Sequence, residues 1–297
     1  MSTHTKMPNI IRAAFWWNRF GLRGKSAIPR RIGRIWKGKD IFIPTRRGGV
    51  LSVDMSNLDV YAIIYNAGGQ WDGHVMNTCE RLLRPGDVYY DIGSNSGVFS
   101  IDAALAFPDL AVYAFEPQPS LAQHIRQSID ANNLNRVKCL EFLLGQEDGE
   151  HTLYLTSHSI HASIVPRYRR FRQLKLPMRS LDSLVMSGEI KPPDVIKIDV
   201  EGAEITVFRG ALETLRKNNP SVIFEADDNL ARMGLGVQNV FDCLLQAAPY
   251  SFYRIDSDGN LSNAEHPFKF GNYLALAPRH FNRIFPDKEL QPDSRPT

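Results

Sequence analysis

Apolar residues recur along this chain in two distinguishable patterns. Short, nearly continuous apolar runs fit strands buried in a sheet, and longer stretches with apolar positions every three or four residues fit helices packed on one side. From residue 87 onward the two alternate. Strands are predicted at 87–91, 110–116, 137–144, 194–199 and 221–225, and helices at 97–107, 119–132, 203–217 and 237–247. Strands that alternate with helices predict a doubly wound, mostly parallel α/β sheet of Rossmann-like type. The last segment differs, because Phe252–Ile255 runs through the turn signal Asp258-Gly259 to Tyr273–Ala277 with no helical pattern between them. An antiparallel last strand follows from that. Ahead of the alternating region, Ile41–Pro44 and Val50–Val53 flank Arg47-Gly48-Gly49 as a hairpin, and 71–83 reads as a helix stopped by Arg84-Pro85-Gly86. An insertion leaves at Thr152–Leu155 and returns through Leu176–Leu181.

Composition is that of an ordinary globular protein, 43% hydrophobic and 23% charged. Charge is distributed unevenly. Residues 1–47 hold twelve Lys and Arg against Asp40 alone, so a net charge of +3 leaves the remainder acidic by eight. The expected organisation is a basic, amphipathic arm over 1–45, a body over 46–285 with its insertion at about 150–180, and a frayed tail over 286–297. A helix over Asn9–Phe20 with Trp16 and Trp17 makes residues 9–39 a candidate peripheral membrane contact, with packing of the arm on the body as the competing reading. No apolar run reaches the length of a membrane span, and no secretory signal is evident. Cys79, Cys139 and Cys243 are far apart, which fits neither a zinc ribbon nor a disulfide framework. The expected compartment is therefore cytoplasmic, extending to the inner membrane surface if the arm binds there.

Candidate chemistry gathers at the strand ends. Asp91, Glu116, Asp199 and Glu225 each end a strand, although a charge left unpaired away from water is costly. In open α/β sheets that is where ligands sit. The turn Asp91-Ile92-Gly93-Ser94-Asn95-Ser96-Gly97 lacks the second and third glycines of a dinucleotide fingerprint, with Asn at 95 and Val at 98. It resembles instead the D-x-G-x-x-x-G turn of methyltransferases that use S-adenosyl-L-methionine (SAM). Glu116 ends the next strand, where an acid can accept hydrogen bonds from both ribose hydroxyls.

Four segments in order, Asp91–Gly97, Phe115-Glu116-Pro117, Arg179-Ser180-Leu181-Asp182 and Lys197-Ile198-Asp199-Val200-Glu201-Gly202-Ala203-Glu204, make the chain similar to FkbM-type methyltransferases over roughly residues 70–277. The resemblance implies a class I SAM-dependent O-methyltransferase on a seven-stranded sheet, acting on hydroxyls of sugars, glycans or natural products. It implies that Asp91, Gly93, Asn95 and Gly97 bound the methionine end of SAM, that Glu116 binds the ribose, and that the turn at Gly145 lies near adenine. That last turn, Leu144-Gly145-Gln146-Glu147, departs from the pattern of many relatives. The basic arm lies outside the resemblance.

An acceptor alcohol needs somewhere to lose its proton. Candidates are Asp199, Glu225, Asp227, Asp228, His158 and His161. Asp199, Glu225 and Asp227 also form a candidate oxygen-rich Mg²⁺ site, against a helix-capping role for Asp227 and Asp228. Glu204 opens a helix, where a carboxylate meets the positive end of the dipole. The insertion, with His158, His161, Arg167, Arg169, Arg170, Arg172 and Lys175, reads either as a lid over an anionic, glycan or glycolipid acceptor or as a solvated basic loop. Two other functions compete: an RNA ribose methyltransferase, and a non-catalytic SAM-binding protein at a membrane. Nucleic acid is the less expected partner, because the D/N-P-P-Y/F element of amino-methylating enzymes is replaced by Asp199-Val200-Glu201-Gly202.

Overall fold

The computed structural model describes residues 40–54, 72–155, 163–164, 172–226, 230–231 and 234–288. The amphipathic stretch 9–39, most of the basic insertion and the tail beyond 288 lie outside them, as do His158, His161, Asp227 and Asp228.

In chain order the described elements are β1 (Asp40–Pro44), β2 (Val50–Asp54), α1 (Gly73–Leu82), β3 (Val88–Ile92), α2 (Val98–Ala106), β4 (Ala111–Phe115), α3 (Pro119–Ala131), β5 (Val137–Leu140), β6 (Leu143–Leu144), β7 (Gly149–Leu155), β8 (Arg172–Arg179), α4 (Leu181–Met186), β9 (Val195–Ile198), α5 (Glu204–Arg209), α6 (Leu212–Asn218), β10 (Ser221–Ala226), α7 (Val237–Ala247), β11 (Ser251–Ile255), β12 (Leu261–Asn263), β13 (Gly271–Leu276) and α8 (Phe281–Ile284). Among the described residues no helix is long and apolar enough to cross a membrane.

The main sheet runs β12-β11-β13-β10-β9-β3-β4-β5. The five strands from β10 to β5 are parallel, while β13 is antiparallel to β10 and β11 to β13. Alternate side chains of each strand feed two cores. Tyr89, Val112, Val195, Ile223 and Leu274 face α1, α2 and the β1–β2 hairpin. Tyr90, Tyr113, Phe115, Ile196, Phe224 and Tyr273 face the other side, where Phe208 and Phe241 pack on Phe224. The chain enters the sheet at β3, builds outward to β5 and returns to β9 beside β3. The carboxyl ends of β3 and β9 therefore flank a topological switch point.

The structure corrects four expectations. The sheet has eight strands rather than seven. Asp256 Oδ1 accepts from the backbone N–H groups of Asp258 (2.9 Å) and Asn260 (2.8 Å), closing a turn that folds β12 back on β11. The strand predicted at 137–144 divides, with β5 ending at Leu140 and β6 joining a separate sheet beside β8. The helix predicted at 203–217 breaks into α5 and α6 at Gly210, where a Cβ would lie 1.9 Å from the Gly145 carbonyl oxygen. The open end of α6 is capped from a distance, as Asp182 accepts from the N–H groups of Glu213 (3.0 Å) and Thr214 (2.7 Å). Finally, the body begins before residue 46. The hairpin straddles that point, Ile41 and Ile43 lie in the core, and Asn132 pairs with both Val50 N–H (2.8 Å) and C=O (2.6 Å).

Candidate active site at the switch point

The turn after β3 is tied to the ends of two neighbouring strands. Gly93 and Ser94 N–H both donate to the Phe115 carbonyl at 3.1 Å. Asn95 N–H donates to Glu116 Oε2 (2.8 Å) and Gln118 N–H to Oε1 (2.9 Å). Burial pushes the Glu116 carboxyl up to about 7 in spite of those two donors, and the residue is 3% exposed. On the other side the turn touches β9. Gly93 has φ +78°, and a Cβ on it would lie 2.0 Å from the Asp199 carbonyl oxygen. No side chain fits at that approach.

The segment Lys197–Glu204 supplies a buried ion array. Asp91 and Lys197 are register partners on β3 and β9. Lys197 Nζ lies 3.7 Å from Asp91 Oδ1, 3.4 Å from Asp199 Oδ2 and 4.8 Å above the centre of the Phe99 ring. Burial alone depresses an ammonium, yet Asp199 and Asp91 hold this one above the ordinary lysine value. Ser100 donates to Asp91 Oδ2 at 2.6 Å. Asp91 is thus fully buried and engaged from within the protein. Glu204 does more than open α5. Its Oε1 accepts from Val200 N–H (3.0 Å) and Gly202 N–H (3.3 Å), so it pins the loop that follows Asp199. Burial pushes its carboxyl up to about 7.

These elements surround a cavity of about 220 Å³. Its apolar lining includes Phe115, Phe142, Leu143, Leu144, Leu153 and Ile164. Its polar lining includes Asp72, Glu116, Lys197, Asp199, Glu225 and Asn272. Of the residues expected from the sequence, Gly93, Asn95, Glu116, Asp199 and Glu225 line this one cavity. Asp91 lies beneath its floor, beside Lys197. Gly97 sits behind the turn, where a Cβ would meet Ile125 at 2.9 Å. Gly145 falls just past the lining residue Leu144 and packs on Met178 and Gly210. Among the lining residues to which the sequence assigned no role are Asp72, Lys197 and Asn272. Lys197 did leave a signal, being a charge inside an apolar strand. Asn272 left none, because only the β10–β13 pairing brings it opposite Glu225.

The donor set for Mg²⁺ is not assembled among the described residues, where no group of three His, Cys, Asp or Glu side chains is placed to hold a metal ion. Asp199 is already matched to an ammonium, and Asp227 lies outside the described residues.

The model of the FkbM methyltransferase domain matches residues 91–255, from the end of β3 through β11. The chain belongs to the FkbM methyltransferase domain family, a SAM-dependent methyltransferase family. Its relatives include the hexuronic acid methyltransferase AglP of Haloferax volcanii, 30% identical over 133 residues that cover 45% of this chain and 53% of that protein. Another is the 2-O-methyltransferase NoeI of Sinorhizobium fredii, 26% identical over 179 residues, covering 55% of this chain and 73% of that protein. The chain therefore spans about half the length of the first of these relatives. Among solved structures, methyltransferase FkbM from Methylobacillus flagellatus is similar at 16% identity and a TM-score of 0.45, covering 75% of this chain and 56% of that one.

Proposed function

We propose that this FkbM-family chain is an O-methyltransferase that moves the methyl group of SAM onto a hydroxyl of a sugar, glycan or related natural product. The observation that carries the proposal is a single cavity shared by the cofactor turn and a set of oxygen acceptors. The Gly93–Ser96 turn and Glu116 line it together with the oxygen acceptors of Asp199, Glu225 and Asn272. Relatives named for a hexuronic acid and a 2-O position support a sugar acceptor.

The residues present suit SAM. Glu116 accepts a backbone N–H on each oxygen and the Gln118 side chain beside them, and its remaining acceptor capacity suits a ribose hydroxyl. Phe115, Phe142 and Leu144 offer apolar surface for a purine. Bound SAM supplies an electrophilic methyl on a positively charged sulfur. The chain's own task is to hold an acceptor oxygen in line with that methyl, and such positioning can be worth about 7–11 kcal/mol of barrier. It must also take the hydroxyl proton as the new bond forms. Asp199 and Glu225 are lining carboxylates that can accept it. No step is assigned to a metal.

The test compares glycans and lipids from cells with and without the protein by mass spectrometry, beside calorimetric titration of the chain with SAM. The expected result is SAM binding together with a glycan that lacks one methyl group when the protein is absent. A folded chain that ignores SAM and its demethylated product would overturn the proposal.

A further inference from the structure

One group on the polar wall is explained neither by the sheet nor by the cofactor turn. Asn272 lies opposite Glu225 in the β10–β13 register and lines the cavity. Its carboxamide Nδ2 is 3.3 Å from Nε2 of His74, in the first turn of α1. An amide nitrogen only donates, so His74 Nε2 is the acceptor in this contact, which places the ring N–H on Nδ1. The β11–β12 turn backs this histidine, since a Cβ on Gly259 would lie 3.7 Å from the His74 Cα. With its NH₂ arm engaged by α1, the amide keeps its carbonyl oxygen for the cavity.

We propose that Asn272 reads the acceptor through that oxygen, and that His74 is the positioning residue that fixes the amide's orientation. The ligand class is a neutral sugar with adjacent hydroxyls. Asp199, Glu225 and Asn272 stand at the ends of β9, β10 and β13, which are neighbours in the sheet. Neighbouring strands lie about 4.8 Å apart, so the three acceptors are spread on the scale of one sugar ring. A carbonyl oxygen turned inward accepts from a hydroxyl and repels a carboxylate, whereas the reversed amide favours the carboxylate. This inference rests on the O-methyltransferase reading and narrows it to uncharged polyols over uronic acids.

The experiment supplies radiolabelled SAM and two probes, the methyl glycosides of a neutral hexose and of the matching hexuronic acid. SAM affinity is measured separately by calorimetry. The wild type is expected to methylate the neutral glycoside with the lower KM. His74→Leu, which cannot accept from the amide, is expected to raise that KM about tenfold with SAM affinity unchanged. His74→Gln, whose amide oxygen can accept, is expected to restore it. NMR of the ring nitrogens of His74 in the wild type is expected to find the proton on Nδ1, and this decides the amide's orientation even if His74→Leu does not fold. A proton on Nε2, a preference for the uronide, or equal KM values in the two variants would overturn the inference. A wild type that binds SAM but methylates neither probe overturns it too, while leaving the cofactor reading intact; a wild type that does not bind SAM removes that reading itself.

Discussion

At Glu116 two demands conflict. The carboxylate must stay charged to accept from the Asn95 and Gln118 N–H groups and from ribose hydroxyls, yet it is buried enough to titrate at about 7. Hydroxyl donors favour the charged form, so SAM binding and proton release are linked at this residue. SAM affinity should therefore fall as pH drops below about 7, by up to about tenfold per pH unit, and level off above it. Calorimetric titrations from pH 5 to 8 check this, and a flat wild-type profile would contradict it. Glu116→Gln presents an NH₂ group to one of the two backbone donors and leaves that N–H without a partner. Because hydrogen bonds to a charged group are worth about 1.5–3 kcal/mol, its SAM affinity should fall about 10–100-fold and lose the pH dependence.

Among elements, the contact between the β3 turn and the end of β9 leaves no room for an added side chain. Gly93 cannot accept a side chain, because the obstacle is the Asp199 backbone, and Asp199 N–H is itself held by the Ile92 carbonyl at 3.0 Å. Gly93→Ala is expected to cost more than about 3 kcal/mol. Gly86→Ala has φ +86° but open space around the new atom, and is expected to cost about 1 kcal/mol. Denaturant midpoints of the two variants test the difference, which would vanish if only backbone strain mattered. The same distinction explains what could be read from the sequence. The buried runs at 88–92, 111–115, 195–198 and 221–226 declare themselves as strands, and α7 runs from Val237 to Ala247 as its apolar period predicts. Glu116 and Asp199 were legible because acids end those runs. The break at Gly210, the cap from Asp182, the β12 hairpin and the place of Asn272 were not, because each is set by a partner far along the chain or by a side chain folding back on its own turn. Local periodicity carries no record of such partners.

For the whole molecule, the buried ionisable groups set a pH dependence opposite to that of the site. Burial pushes Glu116 and Glu204 up to about 7 and Asp102 up to about 6. In each the folded chain binds its proton more tightly than the unfolded chain, so their contribution is full below the ordinary carboxylate range and is lost as pH rises toward 7. His280 works against them. It lies beside Ser221 Oγ at 2.9 Å, and burial lowers it to about 3, so its contribution is full above the ordinary histidine value and is lost as pH falls toward 3. Three groups outweigh one between pH 5 and 7, and each net proton changes stability by at most about 1.4 kcal/mol per pH unit. Stability should then decline from pH 5 to 7 while SAM affinity rises, so the fold is firmest where its cofactor binds less well. Glu204 separates the two effects. Its Oε1 holds the Val200 and Gly202 N–H groups, a task a glutamine oxygen can keep, while its Oε2 has no hydrogen-bond partner among the described residues. Glu204→Gln should fold, bind SAM with the wild-type pH profile, and show a shallower decline in stability between pH 5 and 7. Denaturant unfolding at half-unit pH intervals measures that slope, and a wild type that gains stability over the interval would show that these buried acids do not govern it.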